Sequence, residues 1–272
     1  MTHTTTYKPT LMQSLLGRNY KWWYALLYNL NLSLAYSFSS IFALFRDLLP
    51  LAISLLIYGK YSTTNEYAIY FIIGNVFLKT CGLVWDISWD FRADIKNGSI
   101  TTKMLKPSSL LGQYLVVSLG ANLYSYLINI LIAVIMLIGG GLISSIPLNF
   151  NILPAVLLIL VGDVIFFFIE VIVGSCAFFV RETNTLIETK NSLIPFLAGA
   201  LFFLNTNSFT SNFIFLPFAF AVHHPMQIYL GKYDFNQTLM VFAGGIAWCV
   251  VLYFLAKWIF KMGLKRNEAV GL

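Results

Sequence analysis

The sequence predicts an all-α membrane protein with six transmembrane helices, and three observations carry that prediction. Hydrophobic residues make up 58% of the chain and charged residues 10%, against roughly 45–50% and about 25% in soluble domains. No soluble core hides that much apolar surface. The apolar residues fall in runs of about 20, the length of a spanning helix, rather than in the alternating stretches of about 10 that build barrel strands. The basic residues are also unevenly shared between the two sides. Lys60 and Lys232 fall on one side, Arg46 and Lys79 lie inside spans, and the other 13 of the 17 Lys and Arg fall on the opposite side. By the positive-inside rule that richer side is cytoplasmic; it holds both termini, so the number of spans is even. The net charge of +6 then reflects topology, and no nucleic-acid partner is expected. Residues 1–272 read as a single transmembrane domain of the cell (inner or cytoplasmic) membrane, in contact with its lipids.

The elements follow in order. Residues 1–30 form a cytosolic or interfacial segment: Trp22 and Trp23 stand beside Arg18 and Lys21, a composition suited to a helix at headgroup level. The alternative is the start of a long first span. That first span is placed at 34–58, which leaves Arg46 and Asp47 near mid-bilayer beside a kink-prone Pro50. Beginning it at Arg46 would leave only about a dozen apolar residues, too few to cross. The second span, 67–88, carries Tyr67 and Tyr70 at one end, Trp85 and Trp89 at the other, and Lys79 inside. A polar loop at 90–108 precedes the third span, 111–138, which Gly139-Gly140-Gly141 ends. The fourth span, 152–179, contains Asp163 and Glu170. A polar run at 183–192 leads into a brief fifth span ending at 204. Residues 208–230 are apolar but hold Pro217, His223, His224 and Pro225. Two prolines eight apart argue against a straight span and for an outer re-entrant hairpin. The last span is 237–260, followed by a basic tail. Cys81, Cys176 and Cys249 lie singly in apolar runs and predict no disulfide framework or metal site.

The 90–108 loop is the most polar interval. Asp94 to Pro107 reads D-I-K-N-G-S-I-T-T-K-M-L-K-P. A stiff extension of the second span through residue 97, a turn at Gly98, a helix over 100–106 capped by Ser99, and a stop at Pro107 follow from those residues. Lys103 and Lys106 lie on adjacent faces of that helix, placed to meet acids on a partner or anionic headgroups. An acid four residues before the glycine, a hydroxyl after it, and a closing Leu105-x-Pro107 make the loop resemble the signature of type-2 permeases of ATP-binding-cassette exporters. The stretch 216–231, L-P-F-A-F-A-V-H-H-P-M-Q-I-Y-L-G, and the ending K-R-N-E-A-V-G-L resemble that family too. Asp94, where the family usually has glutamate, departs from the pattern, and the outer loops are too small for a substrate-binding domain.

The resemblance implies an N-terminal interfacial helix, an outer re-entrant segment marked by Pro217, His223 and Pro225, and a coupling helix. That coupling element would involve Asp94, Gly98, Ser99, Lys103, Lys106 and Pro107, docking on a separate ATPase subunit. It implies a pathway framed with a second copy of the chain or a sibling permease. It also implies no cofactor on this chain, since ATP and magnesium would sit on the ATPase. From the residues themselves, no phosphate-cradling G-x-x-x-x-G-K-[ST] loop, no H-E-x-x-H and no G-x-S-x-G elbow is present, so an enzyme is not predicted. The intramembrane charges Arg46, Asp47, Lys79, Asp163 and Glu170 each cost roughly 2.5–3.5 kcal/mol at the bilayer centre. They are expected to pair with one another or to face the pathway, with Lys79 set against Asp163 or Glu170. The other functional class left open is a passive gated channel or structural subunit.

Overall fold

The structure, a computed structural model, describes residues 20–35, 49, 52–53, 55–56, 65–106, 108–146, 150–204 and 209–271. The expected first span, with Arg46, Asp47 and Pro50, lies almost wholly outside them, and so does Pro107. Every regular element among the described residues is helical: α1 (Tyr20–Ala35), α2 (Glu66–Cys81), α3 (Ile87–Asn97), α4 (Ser99–Met104), α5 (Leu110–Gly139), α6 (Ile152–Ser175), α7 (Asn184–Leu197), α8 (His223–Tyr229) and α9 (Phe235–Gly271), joined by short 3₁₀ turns.

Among the described residues four segments are long and apolar enough to cross a membrane: Glu66–Asn97, Leu110–Gly139, Ile152–Phe178 and Phe235–Arg266. They match the second, third, fourth and last expected spans. Their outer faces stay apolar. On α6, Leu153, Leu157, Leu160 and Val164 are exposed, spaced by three and four residues along one stripe. Ala155, Leu158, Gly162, Ile165, Phe166 and Ile169 are buried on the other. In water such stripes would drive aggregation; in a bilayer they face lipid.

Helix α6 is the hub, packing against α9, α3, α8 and α2, while α1 packs along α5. Trp22 lies against Gly112 and Leu26 against Gly120, so α1 advances along α5 as it goes. It continues to Ala35, past residue 30, the expected end of the interfacial segment.

Two polar ends frame the bundle. At one, Glu66 and Lys232 form an ion pair at 2.9 Å, and Asn65 donates to Ser145 at 3.0 Å. Phe203 packs on Tyr67 there, beneath the Lys232 ammonium. At the other end α3, α4, the start of α5, the turn after α6 and the end of α9 meet. Helix α7 begins near this second end, with Lys190 against Glu170. It stops short at Pro195 to Leu197, and Ala198 and Gly199 then give their carbonyls to His223 N–H (3.1 Å) and Tyr70 O–H (3.1 Å). The chain between Phe203 and Lys232 goes inward and returns. Phe220 carbonyl lies against Gly162 and its ring against Gly245, each ten residues along its helix, about 15 Å from the first end. A Cβ at Gly162 would stand 2.7 Å from that carbonyl oxygen, so only glycine admits the approach.

Candidate functional site

The polar loop is built as a braced hairpin. Helix α2 passes through a tight turn at Gly82–Val84 into α3, whose apolar residues Ile87, Phe91 and Ile95 are buried. Gly98 ends α3 at φ 71°, the left-handed conformation that glycine adopts without a Cβ penalty, and its N–H donates to the Ile95 carbonyl at 3.3 Å. Helix α4 starts at once.

The turn folds α4 back so that Asp94 is gripped from three directions. Ser99 Oγ donates to Oδ1 at 2.6 Å, and Lys103 Nζ and the Tyr114 hydroxyl both donate to Oδ2. The Lys103 ammonium also lies 4.5 Å from the centre of the Tyr114 ring. Gln113 closes the far side, donating to the carbonyls of Lys103 (3.1 Å) and Ser108 (3.3 Å). Ile100 is the buried foot of α4. What remains outside is a short tip: Thr101, Thr102, Met104, Leu105 and Lys106, with Leu105 86% exposed.

Two expectations change here. Ser99 is not the cap of α4: the residue before the helix is Gly98, and no side chain caps it, because Ser99 Oγ is spent on Asp94. Lys103 turns inward to Asp94 rather than outward, since the Gly98 turn brings residues nine apart in sequence together. Lys106 keeps the exposed position expected of it.

A second constellation lies deeper. Glu170 on α6 is fully buried and forms an ion pair with Lys190 on α7. Ser88 of α3 joins both: its N–H donates to Glu170 Oε2 at 3.3 Å, and Lys190 Nζ donates to its Oγ at 3.4 Å. Glu170 therefore takes Lys190 as its partner in place of Lys79, whose ammonium lies 5.8 Å from the Trp85 ring centre. Asp163 lies two turns from Glu170 on the same stripe of α6, and its Oδ1 is buried without a partner among the described residues. Sequence reasoning missed Lys190, Ser88 and Tyr114. For Lys190 a signal existed: Ile187, Lys190 and Ile194, three and four apart, share the buried face of α7.

In the 208–230 segment Pro217 opens a 3₁₀ turn ending at Phe220, and Pro225 sits in the first turn of α8, where its missing N–H costs nothing. The partners of His224 fix its tautomer. Nε2 faces the Ile214 carbonyl at 2.9 Å and so carries the hydrogen; Nδ1, 3.1 Å from the Tyr233 hydroxyl, accepts. Burial pushes its pKa down to about 4, and burial with the neighbouring His224 holds His223 at about 3.

Long apolar helices with lipid-suited outer faces and one internally braced polar loop describe an integral membrane protein. Residues 34–271 match the family described as ABC-2 family transporter protein, and the chain belongs to that family. It is a multi-pass membrane permease component of an ABC transporter. No curated protein compared with the chain matches it.

Proposed function

We propose that this chain is one transmembrane half of an ATP-driven exporter, pairing with a second copy of itself or a sibling permease and docking a separate ATPase through the 90–108 loop. The observation that carries this reading is the loop's division of labour. Asp94, Ser99, Lys103, Tyr114 and Gln113 spend their polar groups bracing it from within, while Met104 and Leu105 stand out at the tip, 45% and 86% exposed, beside Lys106. A rigid stem with an apolar and cationic tip fits a protein surface that must push on the spans. ATP and magnesium belong to the ATPase in this reading.

The same reading takes residues 1–272 as one transmembrane domain crossing six times, with both termini cytoplasmic. The four long helices supply four crossings and 34–58 one. The remaining crossing is α7 continued by 198–204, supported by its run from the Glu170 end to Phe203 beside Tyr67. Residues 208–230 are read as the outer re-entrant segment, supported by the excursion to Gly162 and back. Co-purification of the ATPase with the full chain tests the docking. Leu105→Glu should lower ATPase retention at least tenfold and uncouple its turnover while the chain still inserts and melts as wild type. Unchanged retention would remove the loop from the interface.

A further inference from the structure

Beside the braced loop, at the same end of the bundle, an open cleft of about 660 Å³ separates α3, the turn after α6 and the end of α9. One wall is apolar, made of Ala177, Phe178, Phe179 and Val180; the other carries Lys96, Arg181 and Arg266, with Glu182 the sole acid among its lining residues. Three cations face one carboxylate, so the cleft is net positive. Among the described residues neither Arg181 nor Arg266 makes an ion pair. The Arg266 guanidinium lies 5.9 Å from the Phe179 ring centre, and Lys96 Nζ donates to the Arg181 carbonyl, which steadies that turn and leaves the arginine side chain to the cleft. The position is as informative as the charge. The apolar stretch of α6 runs to Phe178, and α9 reaches the cleft through a turn-by-turn series of cations, Lys257, Lys261 and Lys265, so the cleft lies where apolar helix gives way to basic residues, the composition of the headgroup level.

We propose that this cleft binds the phosphate headgroup of an anionic phospholipid. Arg181 and Arg266 hold the phosphate oxygens, for which a guanidinium is well shaped, and Lys96 adds a third cation. Phe178, Phe179 and Val180 receive the glycerol and upper acyl chain. An acidic protein segment would satisfy the cations, but it has no use for an apolar wall continuous with the bilayer. Basic clefts between spanning helices on the basic side are suited to such headgroups. The site takes only Lys96 from the stem of the ATPase-docking loop; both arginines lie outside that loop, and the test needs no ATPase.

Native mass spectrometry of the full-length chain in mild detergent, mixed with phosphatidylglycerol and phosphatidylcholine of identical acyl chains, reads the binding directly. The wild type should retain phosphatidylglycerol at least tenfold over phosphatidylcholine, and the preference should collapse at about 0.5 M salt, where charges are screened within a few ångströms. Arg181→Gln with Arg266→Gln should cut phosphatidylglycerol retention about 25-fold, about fivefold per cation, leaving phosphatidylcholine retention unchanged. Replacing both by lysine should keep most of the preference. Equal retention of the two lipids by the wild type would overturn the proposal, as would an undiminished preference in the glutamine variant. Displacement of the lipid by millimolar inorganic phosphate would overturn it in favour of a soluble anion. An ATPase that displaces the lipid and loses affinity for the glutamine variant would overturn it in favour of protein docking. Should the glutamine variant not fold, the wild-type lipid ratio and its salt response decide the matter alone.

Discussion

The same three residue types, an acid, a lysine and a serine, meet twice in this molecule, and the two meetings differ in almost everything but chemistry. At the loop, Asp94, Lys103 and Ser99 come together with side chains 14% and 30% exposed for the ion pair. Inside the bundle, Glu170, Lys190 and Ser88 come together with 0% and 7% exposed. Water shares the charge of the first pair and is excluded from the second. Exposed pairs contribute about 0–1 kcal/mol. A buried pair is held by mutual need, since removing one partner strands the other and costs about 3–5 kcal/mol. The loop trio thus shapes a turn, whereas the buried trio fastens α3, α6 and α7 into one body. Because α3 is also the stem of the loop, Ser88 ties that stem to the buried ion pair.

The largest effect is expected from Lys190→Met, which leaves Glu170 carboxylate buried without a counter-charge. Thermal unfolding of the purified chain should show a loss of about 3–5 kcal/mol. Adding Glu170→Gln should restore most of it, because the amide no longer needs a cation. If the single variant melts like the wild type, water reaches the pair and the contrast with the loop disappears.

That contrast also decides what could be read in the sequence. Asp94, Gly98, Ser99 and Lys103 lie within ten residues of one another, so the turn at Gly98 and the short helix after it were legible, whereas the grip of Ser99 and Lys103 on Asp94 was not. The four long spans were equally legible, because length and apolarity are local properties. The Glu170 partner was not. Lys190 stands in a run of polar residues that reads as a solvated loop, and only the placement of α7 against α6 and α3 makes it a buried cation. Lys79, the obvious candidate inside a span, lost that role to a lysine twenty residues from Glu170. Ser99 failed as a cap for a similar reason: an anion within reach outcompeted a backbone N–H for its hydroxyl. The shortness of α7 was visible in its brief apolar run, but what its end meets, Tyr70 and His223, depends on packing that no local pattern encodes.

A buried titratable site with no counter-charge extends the comparison. His224 is neutral between the Ile214 carbonyl and Tyr233, with its pKa pushed down to about 4, and His223 lies at about 3. An unfolded histidine titrates near 6.5, so below that pH the unfolded state binds protons that the folded state refuses. Stability should be unaffected above about pH 7 and fall by about 1.4 kcal/mol per histidine per unit below 6.5, levelling only near the folded values. Melting between pH 7.5 and 5.0 measures the slope, and His224→Gln should remove about half of it. A flat profile would mean that the segment opens to water.

Gly98→Ala probes the backbone of the loop without touching either trio. A Cβ there meets nothing within 4 Å at φ 71°, so the whole effect is conformational. A loss of about 1–2 kcal/mol is expected from placing an L side chain in the left-handed region. It should appear as weakened order at the tip: a cysteine introduced at Leu105 should become more readily cross-linked to sites it does not reach in the wild type. A silent substitution would mean that the turn relaxes to another conformation at no cost, and that Asp94 alone sets the shape of the hairpin.

Lys103→Met is expected to have the smallest effect, and it is the sharpest test of the comparison because it removes the same chemical partner as Lys190→Met. Asp94 would keep the Ser99 and Tyr114 hydroxyls as donors, and its exposed edge would turn to water, so no charge is stranded. The methionine stem can still cover the Tyr114 ring where the lysine stem lay. A loss below about 1 kcal/mol follows, and it should shrink further as salt rises, since an attraction that water partly reaches is screened over roughly 8–10 Å at ordinary ionic strength. The loss from Lys190→Met should be indifferent to salt. Melting both variants side by side across a salt series therefore separates the two trios by size and by slope. Equal losses, or equal salt responses, would show that the loop is as dry as the bundle and that its ion pair is a structural fastening of the same kind.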